Sequence, residues 1–152
     1  MHTPIDIRQA THTDVPVLVG LLRQLFSIEQ DFDPDPNKQQ NGLTLLLDNP
    51  QAAIFVAEHQ GRVVGMLTVQ ILVSTAEGGP VGLVEDVVVD AAHRGQGIGE
   101  AMLAQLWHWS RQQGLSRLQL LADRGNAQAL AFYRKQGWTT TRMLGLRLVL
   151  SD

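Results

Sequence analysis

The feature that most constrains this chain is a β-branched run that leads into a glycine-rich segment and then into an amphipathic helical pattern. The run is Val84-Glu85-Asp86-Val87-Val88-Val89, and the glycine-rich segment is Arg94-Gly95-Gln96-Gly97-Ile98-Gly99. We therefore predict a strand, a tight loop and a helix in that order. Such a loop leaves backbone N–H groups unpaired at the amino end of the helix, where the helix dipole also favours negative charge. The segment thus predicts an anion site, for example for a phosphate.

The chemistry of the loop supports this prediction. Glycine allows the backbone to approach a pyrophosphate closely, and Arg94 adds a fork of N–H donors. Two nucleotide-binding motifs fit less well. A P-loop ends in Gly-Lys-Ser or Gly-Lys-Thr, whereas Gly97-Ile98-Gly99 stands here. A Rossmann fingerprint opens a series of parallel βαβ units, whereas hairpin patterns precede this loop.

The hydrophobic patterns of the whole chain predict an α/β fold. In chain order we expect a strand, two helices, three strands joined by hairpins, a helix, a strand, a helix and a final strand from Met143 to Leu150. This order predicts a mixed, mostly antiparallel central sheet with helices on both faces. The length of 152 residues is typical of one domain, so we expect a single domain over residues 1–152.

Composition excludes several function classes. Lys plus Arg is 12 and Asp plus Glu is 15, a net charge of −3 that gives no reason to expect nucleic-acid binding. No apolar run approaches the roughly 20 residues of a membrane span, and no leader pattern opens the chain, so we expect a cytoplasmic protein. His59, His93 and His108 lack metal-ligand spacing, so we interpret them as surface residues and expect no metal.

The anion loop and a later segment resemble the GNAT superfamily, the N-acetyltransferases related to the histone acetyltransferase of general control. The superfamily's pyrophosphate motif is Gln or Arg, two residues, Gly, one residue, then Gly or Ala, and Arg94, Gly97 and Gly99 match it. The segment from Asn126 to Trp138 is similar to the superfamily's second motif. The similarity covers nearly the whole chain. It implies a GNAT-like acyl-CoA fold, a single-domain bacterial-type member, acetyl-CoA as co-substrate and transfer of its acetyl group to a primary amine.

The resemblance also implies binding residues for the co-substrate. The six loop residues Arg94, Gly95, Gln96, Gly97, Ile98 and Gly99 would hold the pyrophosphate. The backbone of Val87, Val88 and Val89 would pair with the pantetheine arm like an added strand. Asn126 would contact the same arm, although an asparagine at that position is equally expected to cap its helix.

Acetyl transfer to an amine requires a base for the ammonium proton and benefits from an acid for the departing thiolate. The resemblance implies that Tyr133, the only tyrosine, faces the sulfur and acts as the acid; the alternative is an aromatic ring packed beside Phe132. The resemblance also implies Glu85 as the base, because several branches of the superfamily carry a catalytic glutamate at this place. The alternatives are a solvated or salt-bridged strand carboxylate, or a residue that merely neutralises a cationic acceptor. Asp86 should point to the opposite face because strand side chains alternate, unless a bulge intervenes.

Because the chain has no cysteine, an acyl group cannot be held on an enzyme thiol, and we expect direct attack within a ternary complex. The acceptor stays open among small-molecule and peptide amines. Four loop carboxylates would favour a cationic amine, namely Glu29, Asp31, Asp33 and Asp35. Apolar residues of the predicted final strand, with Trp107 and Trp109, suggest a homodimer or simply core packing.

Two other interpretations remain at this stage. The first is a non-catalytic acyl-CoA-binding sensor or structural subunit with the same fold, and the presence of Tyr133 argues against it. The second is an unrelated nucleotide-binding module that uses the glycine loop for a different phosphate.

Overall fold

The computed structural model describes residues 4–29 and 33–150. The chain divides into two compact units, a first unit of Met1–Leu120 and a second unit of Leu121–Asp152. The expectation of one domain over the whole chain stays a prediction.

The first unit is built on a five-stranded sheet with the strand order β1-β2-β3-β4-β5. Its elements are β1 (Ile5–Gln9), α1 (Val15–Ile28), α2 (Pro36–Leu47), β2 (Ala52–His59), β3 (Arg62–Ser74), β4 (Gly79–Val89), α3 (Ile98–Gln112) and β5 (Leu118–Leu120). The strands β1 to β4 pair antiparallel, and β5 pairs parallel to β4. The predicted α/β class and the mixed, mostly antiparallel sheet are therefore confirmed.

Side-chain hydrogen bonds hold the segment before α1 and cap the start of α2. The carboxylate of Asp14 accepts the Thr11 N–H at 2.8 Å and the Arg8 guanidinium at 2.8 and 3.0 Å, so the start of α1 is tied to β1. The Asp35 carboxylate accepts the N–H groups of Asn37 and Lys38 and so caps α2.

Helices cover both faces of the sheet, as predicted. Ile54 and Val56 of β2 belong to the apolar cluster that includes the buried leucines of α1 and Leu43 of α2. Phe55 instead packs edge-on against Trp109 of α3, with ring centroids 5.8 Å apart. Because successive strand side chains point to opposite faces, α1 and α2 lie on one face and α3 on the other.

The second unit contains α4 (Ala127–Lys135). The predicted strand from Met143 to Leu150 is wrong, because no strand is assigned to these residues. The apolar side chains of this segment are between 72% and 94% exposed, and they are Met143, Leu144, Leu146, Leu148, Val149 and Leu150. Apolar and β-branched composition favours a strand only where a neighbouring strand supplies hydrogen bonds, and composition cannot supply that partner.

Within the described ranges, no helix has both the length and the apolar character needed to cross a membrane.

Candidate acetyl-CoA site

A bulge in β4 changes the direction of the predicted catalytic carboxylates. Thr68 of β3 lies opposite Glu85 and Met66 lies opposite Val88, so the register shifts by one residue between them. Asp86 sits in this bulge with φ of +57°, a left-handed conformation that aspartate tolerates better than most residues. A β-bulge of this kind bends the strand and aims its side chains differently from regular alternation.

The two carboxylates lie on the same side of β4, contrary to simple alternation. Thr68 Oγ1 lies 3.1 Å from Asp86 Oδ2, so the Asp86 side chain is on the face of Thr68. Glu85 is paired directly opposite Thr68, and directly opposed residues of antiparallel strands share a face. Regular alternation would have pointed Asp86 away from Glu85, and the structure shows instead the exception expected of a bulge in this strand.

The environments of the two carboxylates differ. Glu85 is exposed, whereas Asp86 is half-buried. Burial raises the pKa of Asp86 to about 6, the hydrogen bond from Thr68 acts in the opposite direction, and the charge of Glu85 adds to the rise. Asp86 is thus a second candidate for proton transfer, which we did not predict from the sequence.

Beyond the bulge, β4 and β5 are no longer paired. Their parallel ladder joins Gly82 to Leu118 and ends with Val84 opposite Leu120. From Glu85 to Val89, β4 is bonded to β3 along one edge, and no described strand pairs with its other edge. The backbone of Val87, Val88 and Val89 therefore lies on a stretch of edge to which an extended, amide-bearing chain can add.

The glycine loop forms the predicted anion-binding geometry. Gly97 has φ of +80° and is the residue before α3, and Gly95 has φ of +76°. The first backbone bond of the helix runs from the Ala101 N–H to the Gly97 carbonyl at 3.1 Å. The N–H groups of residues 98–100, which lie between Gly97 and Ala101, therefore have no partner within the helix. No side chain caps α3. Arg94 is exposed beside this loop, and its Nε donates to the Val89 carbonyl at 3.2 Å.

A polar network holds the segment between β4 and the loop. Asp90 Oδ1 accepts from Gln24 Nε2 of α1 at 2.9 Å, and Asp90 Oδ2 lies 2.9 Å from His93 Nδ1. The other end of the Gln24 amide, Oε1, accepts the Ala91 N–H at 3.0 Å. The Asp90 N–H donates to the Val64 carbonyl at 2.8 Å. Hydrogen bonds from Gln24 and then His93 hold the pKa of Asp90 below its usual range.

Two of the three histidines do not lie on the surface, contrary to expectation. His59 and His93 are half-buried rather than surface residues, and their rings meet edge-on with centroids 5.8 Å apart. Only His108 is exposed as expected. Among the residues that the structure describes, no group of three or more His, Asp or Glu side chains is arranged to hold a metal ion.

The remaining predicted site residues, Asn126 and Tyr133, belong to the second unit. Asn126 Oδ1 accepts the Ala129 N–H at 3.0 Å, so its predicted capping role is confirmed. Tyr133 is half-buried, and its ring packs edge-on against Phe132 at 5.3 Å and Trp138 at 5.9 Å between centroids. The aromatic packing that was the alternative for Tyr133 therefore exists, and it does not exclude a role for the hydroxyl.

The predicted residues of the first unit form one continuous stretch. Glu85, the backbone of residues 87–89 and the loop 94–99 follow one another along the end of β4 and into α3. A separate cleft of about 340 Å³ lies at the starts of α1 and α2 and is lined by His12, Val15, Pro16, Val19, Pro36 and Gln40. None of the predicted site residues lines that cleft, so geometry alone gives it no part in the reaction.

The profile of the "Acetyltransferase (GNAT) family" matches residues 22–138, which include both the loop and the segment around Tyr133. The chain belongs to this family. An aminoglycoside N(6')-acetyltransferase type 1 of Stenotrophomonas maltophilia is 31% identical over 149 residues, covering 95% of this chain and 93% of that protein.

Two further similarities agree with family membership. A glucosamine 6-phosphate N-acetyltransferase of Trypanosoma brucei brucei is 36% identical over 86 residues, and this match spans only 56% of each protein. The solved structure of an aminoglycoside N-acetyltransferase in complex with CoA superposes with a TM-score of 0.85. It is 19% identical, with 98% of this chain and 97% of that chain covered, and so supports the fold alone.

Family membership confirms the activity predicted from the sequence. This GNAT protein is an N-acetyltransferase that uses acetyl-CoA as its acetyl donor.

Proposed function

We propose that this GNAT enzyme acetylates a primary amine of a small, cationic molecule by direct attack on acetyl-CoA. One observation carries the proposal. A strand edge with which no described strand pairs and a helix start whose N–H groups have no partner within the helix follow each other within residues 85–99. Together they match the two polar parts of the donor. The pyrophosphate carries negative charge, and the pantetheine arm carries amide groups that pair like a strand.

In this proposal the loop from Arg94 to Gly99, including Gly95, Gln96 and Ile98, binds the pyrophosphate through its amides. The guanidinium of Arg94 is placed at the loop and adds charge-assisted hydrogen bonds to a phosphate oxygen. The backbone of residues 87–89 binds the pantetheine arm. Asn126 contacts the same arm with the part of its amide that does not cap α4.

The proton transfers are assigned to Glu85 and Tyr133. Glu85 removes a proton from the acceptor ammonium, and the neutral amine then forms a bond to the thioester carbonyl carbon as the carbon–sulfur bond breaks. Tyr133 gives its phenolic proton to the departing sulfur, and the second proton, which the attacking nitrogen loses as it becomes an amide, restores the phenol. The products are the N-acetylated amine and coenzyme A, and no thiol-linked acyl-enzyme can form, because the chain has no cysteine.

Asp86 is the second candidate for the base. Its half-buried carboxyl lies beside Glu85, and a pKa of about 6 is closer to the value expected of an efficient base at neutral pH. Exposure of Glu85 favours direct contact with an incoming ammonium, which is why we place the base there.

The acceptor assignment rests on similarity and charge. The relative that matches almost the whole chain is named as an aminoglycoside acetyltransferase, and aminoglycosides are polycationic amines. Glu29 and Asp33 lie in the connection between α1 and α2 and add negative charge there, whereas Asp35 is used as the helix cap. Asp31, the fourth predicted carboxylate, lies outside the described residues.

An acceptor screen tests this function. Purified enzyme with saturating acetyl-CoA is given aminoglycosides, polyamines, amino acids and peptides in turn, and released thiol is measured. We expect turnover with one of the polycationic small molecules and intersecting, sequential initial-rate patterns. Ping-pong kinetics would overturn the ternary complex, and turnover confined to peptides would overturn the acceptor class.

Assembly and location complete the proposal. The exposed apolar segment from Met143 to Leu150 supports a homodimer in which this segment is covered, since patches of this kind commonly mark interfaces. Light scattering coupled to gel filtration tests this, and a monomer at all concentrations would contradict it.

We place the enzyme in the cytoplasm, where acetyl-CoA is supplied, and treat residues 1–152 as one catalytic domain without a resident metal.

A further inference from the structure

The connection between β4 and the acetyl-CoA loop is hydrogen-bonded to α1 through the side chain of Gln24. Gln24 uses both ends of its amide there, donating to Asp90 at 2.9 Å and accepting from Ala91 at 3.0 Å. Asp90 and Ala91 follow Gln24 by 66 and 67 residues along the chain. Gln24 is half-buried in α1, a helix whose other buried side chains are apolar.

The donor and acceptor roles in this network follow from chemistry. The pKa of Asp90 is held low, so its carboxylate is ionised at neutral pH and only accepts hydrogen bonds. Gln24 must then present its NH₂ group to Asp90 and its oxygen to Ala91, and His93 must carry a proton on Nδ1. A leucine at position 24 would leave both the carboxylate and the Ala91 N–H without this partner.

The hydrogen bonds that join Gln24, Asp90, Ala91 and His93 lie immediately before the loop 94–99. Asp90 follows the last residue of β4, and His93 precedes Arg94. The loop beyond this point depends on two glycines with positive φ, and its own side chains do not cap α3. Its orientation therefore depends on how its entry is held, and the contact of Gln24 with Asp90 and Ala91 is the side-chain contact from α1 that holds it.

We infer that Gln24 is a positioning residue for acetyl-CoA binding, which fixes the entry of the loop 94–99 through Asp90 and Ala91 without touching the co-substrate. The inference rests on the proposed binding of the pyrophosphate by this loop. Preorganised amides bind an anion better than amides that must first be ordered, so loss of Gln24 weakens co-substrate binding. The stability of the fold, which rests on the apolar face of α1, changes much less.

Calorimetric titration of coenzyme A into three variants tests the inference. Gln24→Leu removes both hydrogen bonds, and we expect the Kd for coenzyme A to rise roughly tenfold or more, since one of the lost bonds is to a charged group. Ser27→Ala is the matched control. Its hydroxyl lies on the same helix and donates only to the Gln24 backbone carbonyl at 2.7 Å, so its Kd should stay at the wild-type value.

Gln24→Glu adds a measurement that a purely structural role would not change. At pH 8 a carboxylate would face ionised Asp90 across the present 2.9 Å contact, and binding should weaken. At pH 5.5 a proton shared between the two carboxylates restores that hydrogen bond, so the Kd ratio of Gln24→Glu to wild type should fall toward one. Asp90 and His93 face this position, and His59 packs on His93, so the wild type is titrated at both pH values.

The outcomes separate the inference from the function on which it rests. If the wild type binds coenzyme A and folded Gln24→Leu binds it equally well, the positioning role is overturned and the proposed function stands. A constant ratio for Gln24→Glu at both pH values, with weakened binding, would also overturn the hydrogen-bond mechanism. If the wild type itself does not bind coenzyme A, the proposed function fails and the inference fails with it.

Discussion

The hydroxyl of Thr68 lies 3.1 Å from the carboxylate of Asp86 and also 3.1 Å from the carbonyl oxygen of Glu85. A threonine hydroxyl has one proton and cannot donate fully to both acceptors. When Thr68 donates to ionised Asp86 it lowers the pKa of that carboxyl, although burial raises this pKa by more; when Asp86 is protonated, Thr68 can donate to the carbonyl instead. The bulge of β4 therefore links the protonation of Asp86 to the hydrogen bond that the backbone carbonyl of Glu85 accepts from Thr68.

Burial of Asp86, which outweighs the hydrogen bond from Thr68, predicts a pH-dependent stability that Asp86→Asn removes. The folded-state pKa of Asp86, about 6, lies above its ordinary value of 3.8, so the folded protein binds the extra proton between these values. Protonated Asp86 therefore contributes to the stability of the folded protein at low pH, and this contribution is lost as pH rises from about 4 to 6. Urea unfolding at pH 4.5 and 7.5 should show Asp86→Asn gaining on the order of 2 kcal/mol over wild type across this interval. A constant difference between the two proteins would contradict the raised pKa.

Replacement of Glu85 by glutamine tests the general base. The side chain keeps its size and loses its ability to take a proton, so kcat should fall by about two orders of magnitude. Coenzyme A affinity should remain unchanged, because the carboxylate is not part of the phosphate loop. Asp86→Asn is the comparison, measured in the same steady-state assay. If Asp86→Asn loses that activity and Glu85→Gln keeps it, the base is Asp86.

Tyr133→Phe isolates the phenolic hydroxyl from the aromatic ring. The ring contacts with Phe132 and Trp138 should persist, so folding and coenzyme A binding are preserved. Turnover should fall by roughly a factor of 100, because the leaving thiolate loses its acid. Stopped-flow or steady-state kcat measures the effect. Wild-type turnover in the variant would reduce Tyr133 to a packing residue.

Gly97→Ala tests the left-handed start of α3. At Gly97 a Cβ atom would meet nothing within 4 Å, but φ of +80° costs an alanine about 1–2 kcal/mol. We expect the loop to shift and the Kd for coenzyme A to rise. Gly20→Ala is the control: it lies in α1 with open space around it and should stabilise the protein by about 0.5–1 kcal/mol without affecting binding.

Gly82→Ala tests the short ladder between β4 and β5. A Cβ at Gly82 would lie 2.6 Å from Leu118 Cδ2, so β5 must move or Leu118 must change rotamer. We expect a loss of about 1–3 kcal/mol in urea unfolding. Gly79→Ala is on the same strand with nothing within 4 Å, and its stability should be nearly unchanged. Equal effects of the two substitutions would show that the close approach is unimportant.

The sequence predicted those features that depend on neighbouring residues. The hairpins expected in the middle of the chain include the β2–β3 turn, where Gln60 and Gly61 both have the positive φ that such a two-residue turn requires. The glycine loop predicted the start of α3, and the spacing of apolar residues predicted its buried face. Asn126 predicted the cap of α4.

The sequence did not predict features that depend on pairing between distant segments. The bulge at Asp86 results from the register between β3 and β4, and the Gln24–Asp90 contact joins α1 to the end of β4. A glutamine between apolar leucines in the first helix was the available indication of a buried polar contact. The strand expected at residues 143–150 failed for the same reason, because a strand needs a partner that composition does not identify.

The most direct test of the account is a crystal structure of the protein bound to coenzyme A. We predict the pyrophosphate oxygens within hydrogen-bond distance, about 2.7–3.2 Å, of backbone N–H groups between residues 95 and 100. The pantetheine amides should pair with the β4 edge at residues 87–89. Coenzyme A bound elsewhere on the protein, with this loop and edge free of it, would contradict the central claim.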